Sequence, residues 1–289
     1  MNSLKNEFLE IKIKDTGSEL ASIIANGKQY LWEGNPTYWG GQAPILFPFV
    51  GRFKNDEYFY QGKKYTLPQH GFYRRSNAIK LINKTANSLS YSLKSCDESL
   101  KVYPFHFEII NTYKIDKNTI TIEHKVKNTG SDLLYFSIGE HPAFKCSLEN
   151  PNESFENCTL EFEKTENAVI HLIENGLISN TTEPCLNNSN SIELDANSFE
   201  KDALVFKKMN SKKVSLIHKN EGKLVTLRYA DFPMLGIWSK AKAPFVCIEP
   251  WLGIADSVDS DQKIENKEAI ISLEKGKTFT ASYSIEIHL

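Results

Sequence analysis

Glu249 stands in the run FVCIEPW with apolar neighbours on both sides. An ionised carboxylate is expensive to bury in such a setting unless it is paired or chemically useful, and burial raises its affinity for a proton, making it a stronger base. His141 follows YFSIG and precedes Pro142. An imidazole held at that strand end suits general acid or base chemistry near neutral pH. His70, in PQHGFYRR, occupies a turn-like setting of the same kind. Each has a plainer reading: a solvent-facing Glu before a Pro on an edge strand, a core histidine bonded to a carbonyl, and a loop histidine.

Arginine usage adds a second signal. Of 34 basic residues only four are arginines, and Arg52, Arg74 and Arg75 lie in segments marked by Gly and Pro, with Arg228 outside them. A planar bidentate donor is favoured where an oxygen-rich ligand must be held, although a structural ion pair uses the same geometry. Asp202, just before ALVF, is placed either to accept hydrogen bonds from ligand hydroxyls or to cap a turn. His106 lies between two phenylalanines and is expected to face solvent, whereas His124 falls on the apolar side of its strand and is expected in the core. Metal-ligand spacing is missing: there is no His-x-His or HExxH, and DSVDSDQ lacks the glycine and final glutamate of a calcium loop. A Gly-rich nucleotide loop and a GxSxG elbow are also absent.

The elements that must position these residues read as strands. TITIEHKVKN (119–128) puts Ile120, Ile122, His124 and Val126 on one face, and TFTASYSIEIHL (278–289) does the same with Phe279, Tyr283, Ile285 and Ile287. Tight-turn signals such as ANGK, QGKK, DKNT, NTGS and KNEG separate such runs, so hairpins dominate. Helical periodicity is scarce; NPTYWGG (35–41) and NSFEKDALVF (197–206) could each hold a turn or two. The polar stretch 148–200 reads as long loops with a few short strands. The expectation is an all-β protein: one continuous antiparallel β-sandwich domain spanning 1–289, without a linker or a fixed repeat.

Composition narrows the partners. With 40% hydrophobic residues in 289, the chain can bury a large core, and 34 basic against 36 acidic residues leave no electrostatic footprint for nucleic acid or an anionic membrane. No apolar run approaches the roughly 20 residues that span a bilayer, and the N-terminal segment lacks the apolar core of a signal peptide, so a cytoplasmic protein is expected. Five cysteines without a CxxC pair fit reduced thiols. A small molecule is the expected partner, and the chain could act as a monomer or a homodimer.

In their order along the chain, PILFPFVGR, HGF followed by Arg, SIG with HPAF, DALVF and IEPWLGIAD resemble the aldose 1-epimerase (galactose mutarotase-like) family, and its LacX-like branch in particular. The likeness runs from about residue 5 to the C-terminus. It implies the large antiparallel supersandwich of that family and interconversion of α and β sugar anomers without cofactor or metal. It matches Glu249 to the general base, His141 to the general acid and His70 to a substrate-binding histidine. Asp202 would hold sugar hydroxyls, with Arg52 and Arg74 lining the same pocket and Arg75 less securely carried over. An ionised Glu249 and a protonated His141 would favour one another by attraction.

Two positions depart from the pattern. Glu140 stands where a second glycine commonly precedes the histidine, though strand neighbours point to opposite faces. Tyr73 stands where a small residue commonly follows HGF, and could narrow the pocket. Competing readings are a hexose-6-phosphate epimerase using the arginines for phosphate, a non-catalytic sugar-binding or sensing module, and a glycoside hydrolase using Glu249 and Asp202, which leaves His141 without a role.

Overall fold

Alternation of apolar and polar residues along Phe107–Asp116 and Thr119–Asn128 buries every second side chain, and the two strands pair antiparallel around a tight turn at Lys117. That hairpin lies in a long antiparallel sheet in the computed structural model, which describes residues 1–289. From one end, neighbouring strands are Ile45–Leu46, Ile138–Glu140, Phe245–Leu252, Met234–Trp238, Leu204–Phe206 and Cys158–Glu174. The path continues through Lys213–His218, Gly222–Arg228, Thr278–Ile287, Thr119–Asn128, Phe107–Asp116 and Ser88–Lys94 to Lys80–Lys84. A second sheet of four strands covers Asn2–Gln29.

The expected all-β sandwich is therefore the fold, and one apolar core of 63 residues draws on it from Leu4 to Ile287. All five cysteines are free. No helix is long and apolar enough to cross a membrane.

Two local expectations fail. Residues 148–200 hold the two longest strands of the molecule, Cys158–Glu174 and Leu177–Glu193, paired as one hairpin. Its register shifts at four places, beginning between Glu161 and Glu166, and each shift breaks the period of two by which a strand is recognised. Most of its side chains are also at least partly exposed, and the apolar ones it buries beyond Cys158, Leu160 and Phe162 are scattered along a polar length. The segments 35–41 and 197–206 are turns, the latter running into Leu204–Phe206, rather than helix. The single α-helix is Asp97–Val102, too short to show a 3.6-residue period, and Ser99 Oγ accepts from the Cys96 amide at its start.

Candidate active site

Register brings the two sharpest candidates together. Ile138–Glu140 pairs with Phe245–Leu252 so that Gly139 faces Trp251, and pairing resumes with Ala143 facing Cys247. Between these points His141 falls opposite Glu249, beside a proline that interrupts the ladder and frees the strand end. His141 Nε2 lies 3.2 Å from Glu249 Oε2, close but not aligned as a hydrogen bond. On the other side of Glu249, Met234–Trp238 places Gly236 opposite it. Glycines are required at 139 and 236, because a Cβ there would lie 2.7 Å and 2.4 Å from the Trp251 ring.

Both groups sit at the bottom of a cavity of about 1010 Å³, with Glu249 1% and His141 8% exposed. His70, Arg74 and Asp202 also line it. The His141 ring stacks on Trp39 at 4.7 Å between centroids, and Trp238 and His70 meet it edge-on at 5.8 Å. His70 adopts a left-handed backbone, φ 66°, between reciprocal contacts with Gly51: its amide donates to the Gly51 carbonyl, and its Nδ1 accepts from the Gly51 amide at 3.1 Å. With Nδ1 accepting, the ring proton is on Nε2.

Burial sets the protonation of the pair. It pushes the Glu249 carboxyl well above the ordinary 4.5, with the Asp202 charge adding to the effect and the Trp251 indole N–H acting against it. It pushes the His141 imidazole down to about 3, and Arg74 adds to that fall while a backbone hydrogen bond opposes it. Attraction across the contact was expected to keep both groups charged; instead, the cost of desolvating two charges favours the proton on the carboxyl and a neutral ring. His70 is likewise held well below 6.5, by burial first and then by His141, Arg74 and Arg75.

The remaining expectations divide. Arg74 lines the cavity, and no carboxylate lies within salt-bridge distance of it; burial, then Arg75, lowers it to about 10, which leaves it charged at neutral pH. Arg52 does not line the cavity: its Nε and Nη2 each donate to Asp56 at 2.7 Å, the plainer ion-pair reading. Arg75 donates to the Gly71 carbonyl. Asp202 lines the cavity in a left-handed turn, φ 79°, with Oδ1 accepting from the Ala203 amide, which is the turn-capping reading of that residue.

Tyr73 does not narrow the cavity. It is fully buried, its hydroxyl 3.0 Å from Ser18 Oγ and accepting from Asn111 Nδ2, because the turn Tyr73–Arg75 directs it into the core. Glu140 points away from His141, as alternation requires, and faces His124 Nε2 at 2.9 Å while accepting from the Tyr283 hydroxyl. His124 Nδ1 contacts Asn111 Oδ1, which joins Glu140, His124, Asn111, Tyr73 and Ser18 into one buried polar chain. His106 is exposed and His124 buried, as their positions in the sequence indicate.

Sequence reasoning did not nominate the aromatic walls Trp39, Trp238 and Trp251, nor Cys247. Trp39 stands in NPTYWGG and Trp251 in FVCIEPW, beside residues already singled out, whereas nothing local marks Trp238. Cys247 is two residues before Glu249 and hence on the same strand face, and its Sγ lies within 4.8 Å of ligand atoms of both His141 and Glu249. This trio was invisible to a search for metal-ligand spacing, because His141 comes from another strand.

An antiparallel sandwich holding a paired carboxylate and imidazole beneath aromatic walls defines the class. The family model for aldose 1-epimerase matches residues 1–286, and the chain belongs to that family. It is 35% identical to the plasmid-encoded protein LacX of Lactococcus lactis subsp. lactis, over 98% of each chain. The crystal structure of a galactose mutarotase related enzyme from Lactobacillus acidophilus superposes with a TM-score of 0.93 at 34% identity, over 100% of this chain and 97% of that one. A galactose mutarotase-like protein from Lactobacillus casei gives 0.92 at 26% identity, over the whole of both chains. A sugar epimerase or mutarotase role is thereby supported.

Proposed function

We propose that the protein is an aldose 1-epimerase that interconverts the α and β anomers of a hexose, with Glu249 and His141 as its acid–base pair. The observation that carries this is their contact at 3.2 Å on the floor of a cavity large enough for a sugar. Glu249 takes the proton from the O1 hydroxyl while His141 protonates the ring oxygen, and the C1–O5 bond breaks to give the open aldehyde. After rotation about C1–C2 the ring closes with the roles reversed, which restores both groups. Sugar hydroxyls replace the water lost on burial: their hydrogen bonds to the carboxylate lower its proton affinity and move the proton to His141. His70, Arg74 and Asp202 supply donors and an acceptor for the remaining hydroxyls, and the tryptophans cover the apolar sugar face.

A second reading, a phosphorylated hexose as substrate, is favoured by the cavity-lining guanidinium of Arg74 with no carboxylate partner. NMR exchange spectroscopy between the anomers of glucose, galactose and glucose 6-phosphate tests both. Exchange that depends on the wild type and is lost in Glu249→Gln is expected, and the preferred sugar decides between the readings. A folded wild type that accelerates none of the three would refute epimerisation of these hexoses and favour a binding module.

A further inference from the structure

Cys247 has no part in the acid–base chemistry and does not line the cavity, yet its sulfur lies within 4.8 Å of ligand atoms of the two residues that do. It is fully buried, opposite the small Ala143, and it faces the same side of the strand as Glu249. We propose that His141 Nε2, Cys247 Sγ and Glu249 Oε2 form a binding site for a thiophilic divalent cation, zinc in particular, and that the ion competes with the sugar for the pair.

The nitrogen–oxygen pair already has the spacing of two zinc ligands, and the sulfur must come to about 3.6 Å from each to complete the set. Zinc bonds of about 2.0–2.2 Å to nitrogen and oxygen at tetrahedral angles place those two atoms about 3.3 Å apart. Here they are 3.2 Å apart, and the sulfur completes a trio whose members all lie within 4.8 Å of one another. The chemistry fits too: one thiolate, one imidazole and one carboxylate are donors that zinc accepts together, whereas magnesium and calcium prefer oxygen alone. On binding, the thiol and the carboxyl each release a proton to solvent, so a dication meets two anionic ligands and one neutral one. The resulting net charge of zero suits a buried site.

A second observation is that Glu249 Oε2, the oxygen facing His141 Nε2, is buried without an aligned hydrogen-bond partner. The fourth coordination position opens toward the cavity, where water or a sugar hydroxyl completes the tetrahedron. His141 Nδ1 meets no acceptor beyond the residue's own backbone, so the ring lacks the outer hydrogen bond to another residue that strengthens resident zinc histidines. The site is thus one that zinc enters reversibly, as an inhibitor.

The test titrates the metal-free protein with cobalt(II), which reports thiolate ligation through a sulfur-to-metal charge-transfer band in the near ultraviolet. Wild type and Cys96→Ser, which removes the exposed thiol, should both show the band, and zinc should abolish it. Cys247→Ala and Cys247→Ser should both lack it; the second keeps the side-chain volume in case the first is unstable. In anomer exchange, the two Cys247 variants should retain turnover and need at least about tenfold more zinc for half inhibition. Absence of the band in wild type, or its persistence in folded Cys247→Ala, would overturn the site. The inhibition arm rests on the proposed function; the cobalt band does not, so a protein that binds cobalt through Cys247 but turns over no sugar would sink the enzymatic reading alone.

Discussion

Replacing Glu249 with Gln removes one titrating group and almost no volume, so its effect on stability can be followed as a function of pH. In metal-free protein the folded carboxyl is held well above 4.5, by burial first and the Asp202 charge second. From pH 4.5 upward the unfolded chain releases this proton while the folded protein keeps it, so Glu249 costs the native state about 1.4 kcal/mol per pH unit until the folded pKa is passed. His141 acts on the acid side: from pH 6.5 down to about 3 the unfolded imidazole takes up a proton that the buried one refuses, and stability falls with the same slope. Between 4.5 and 6.5 the two slopes cancel, because folded and unfolded pairs each hold one proton. The Gln variant keeps the histidine slope and loses the glutamate one. Its stability relative to wild type should therefore rise by about 1.4 kcal/mol per pH unit above 4.5, levelling off beyond the folded pKa. Urea unfolding followed by tryptophan fluorescence in chelator, at unit pH steps and with unchanged m, measures this gap. A gap that is constant with pH would mean that the native carboxyl titrates normally, and the reasoning from desolvation would be wrong.

His141→Asn should lower kcat for anomer exchange by about 10²–10⁴ while leaving the urea midpoint close to wild type; near-normal turnover would remove the histidine from the chemistry. Tyr73→Phe deletes the hydroxyl between Ser18 and Asn111 and should cost about 1–3 kcal/mol with an unchanged KM, since the ring faces the core; a shifted KM would return Tyr73 to the cavity. Gly71→Ala forces a Cβ to within 2.4 Å of the Phe47 carbonyl oxygen at φ 66°, and should cost at least about 2 kcal/mol and weaken sugar binding by displacing His70; a neutral effect on both would show that this turn can relax.

Glu249 and His141 were legible in the sequence because the anomaly is local: a carboxylate in an apolar run, and an imidazole between a glycine-ended strand and a proline. Tyr73 and Arg52 were not, because their side-chain directions depend on tertiary partners. Asp56, four residues from Arg52, closes the guanidinium fork, and Ser18 and Asn111 draw the tyrosine inward. The hairpin at 158–193 was lost for a different reason. Its alternation lasts only from the buried Cys158 through Leu160 to Phe162, and register shifts and mostly exposed side chains erase it beyond that point. The meeting of His141 with Cys247 and Glu249 depends on a register match between strands that are about a hundred residues apart in the chain, which no local spacing encodes.

Glu140 and His141 face opposite ways from adjacent positions, one toward His124 and Tyr283 and the other toward the cavity. A slip of this strand by a single residue would exchange their faces, driving an imidazole against the inner tyrosines and stranding His124 without its carboxylate. Each of those errors leaves a buried polar group unmatched, at about 1–3 kcal/mol apiece. The polar chain inside the core thus works as a proofreading device for assembly: only the pairing that seats Glu140 inward also delivers His141 to Glu249, so misregistered forms are disfavoured before any sugar is met.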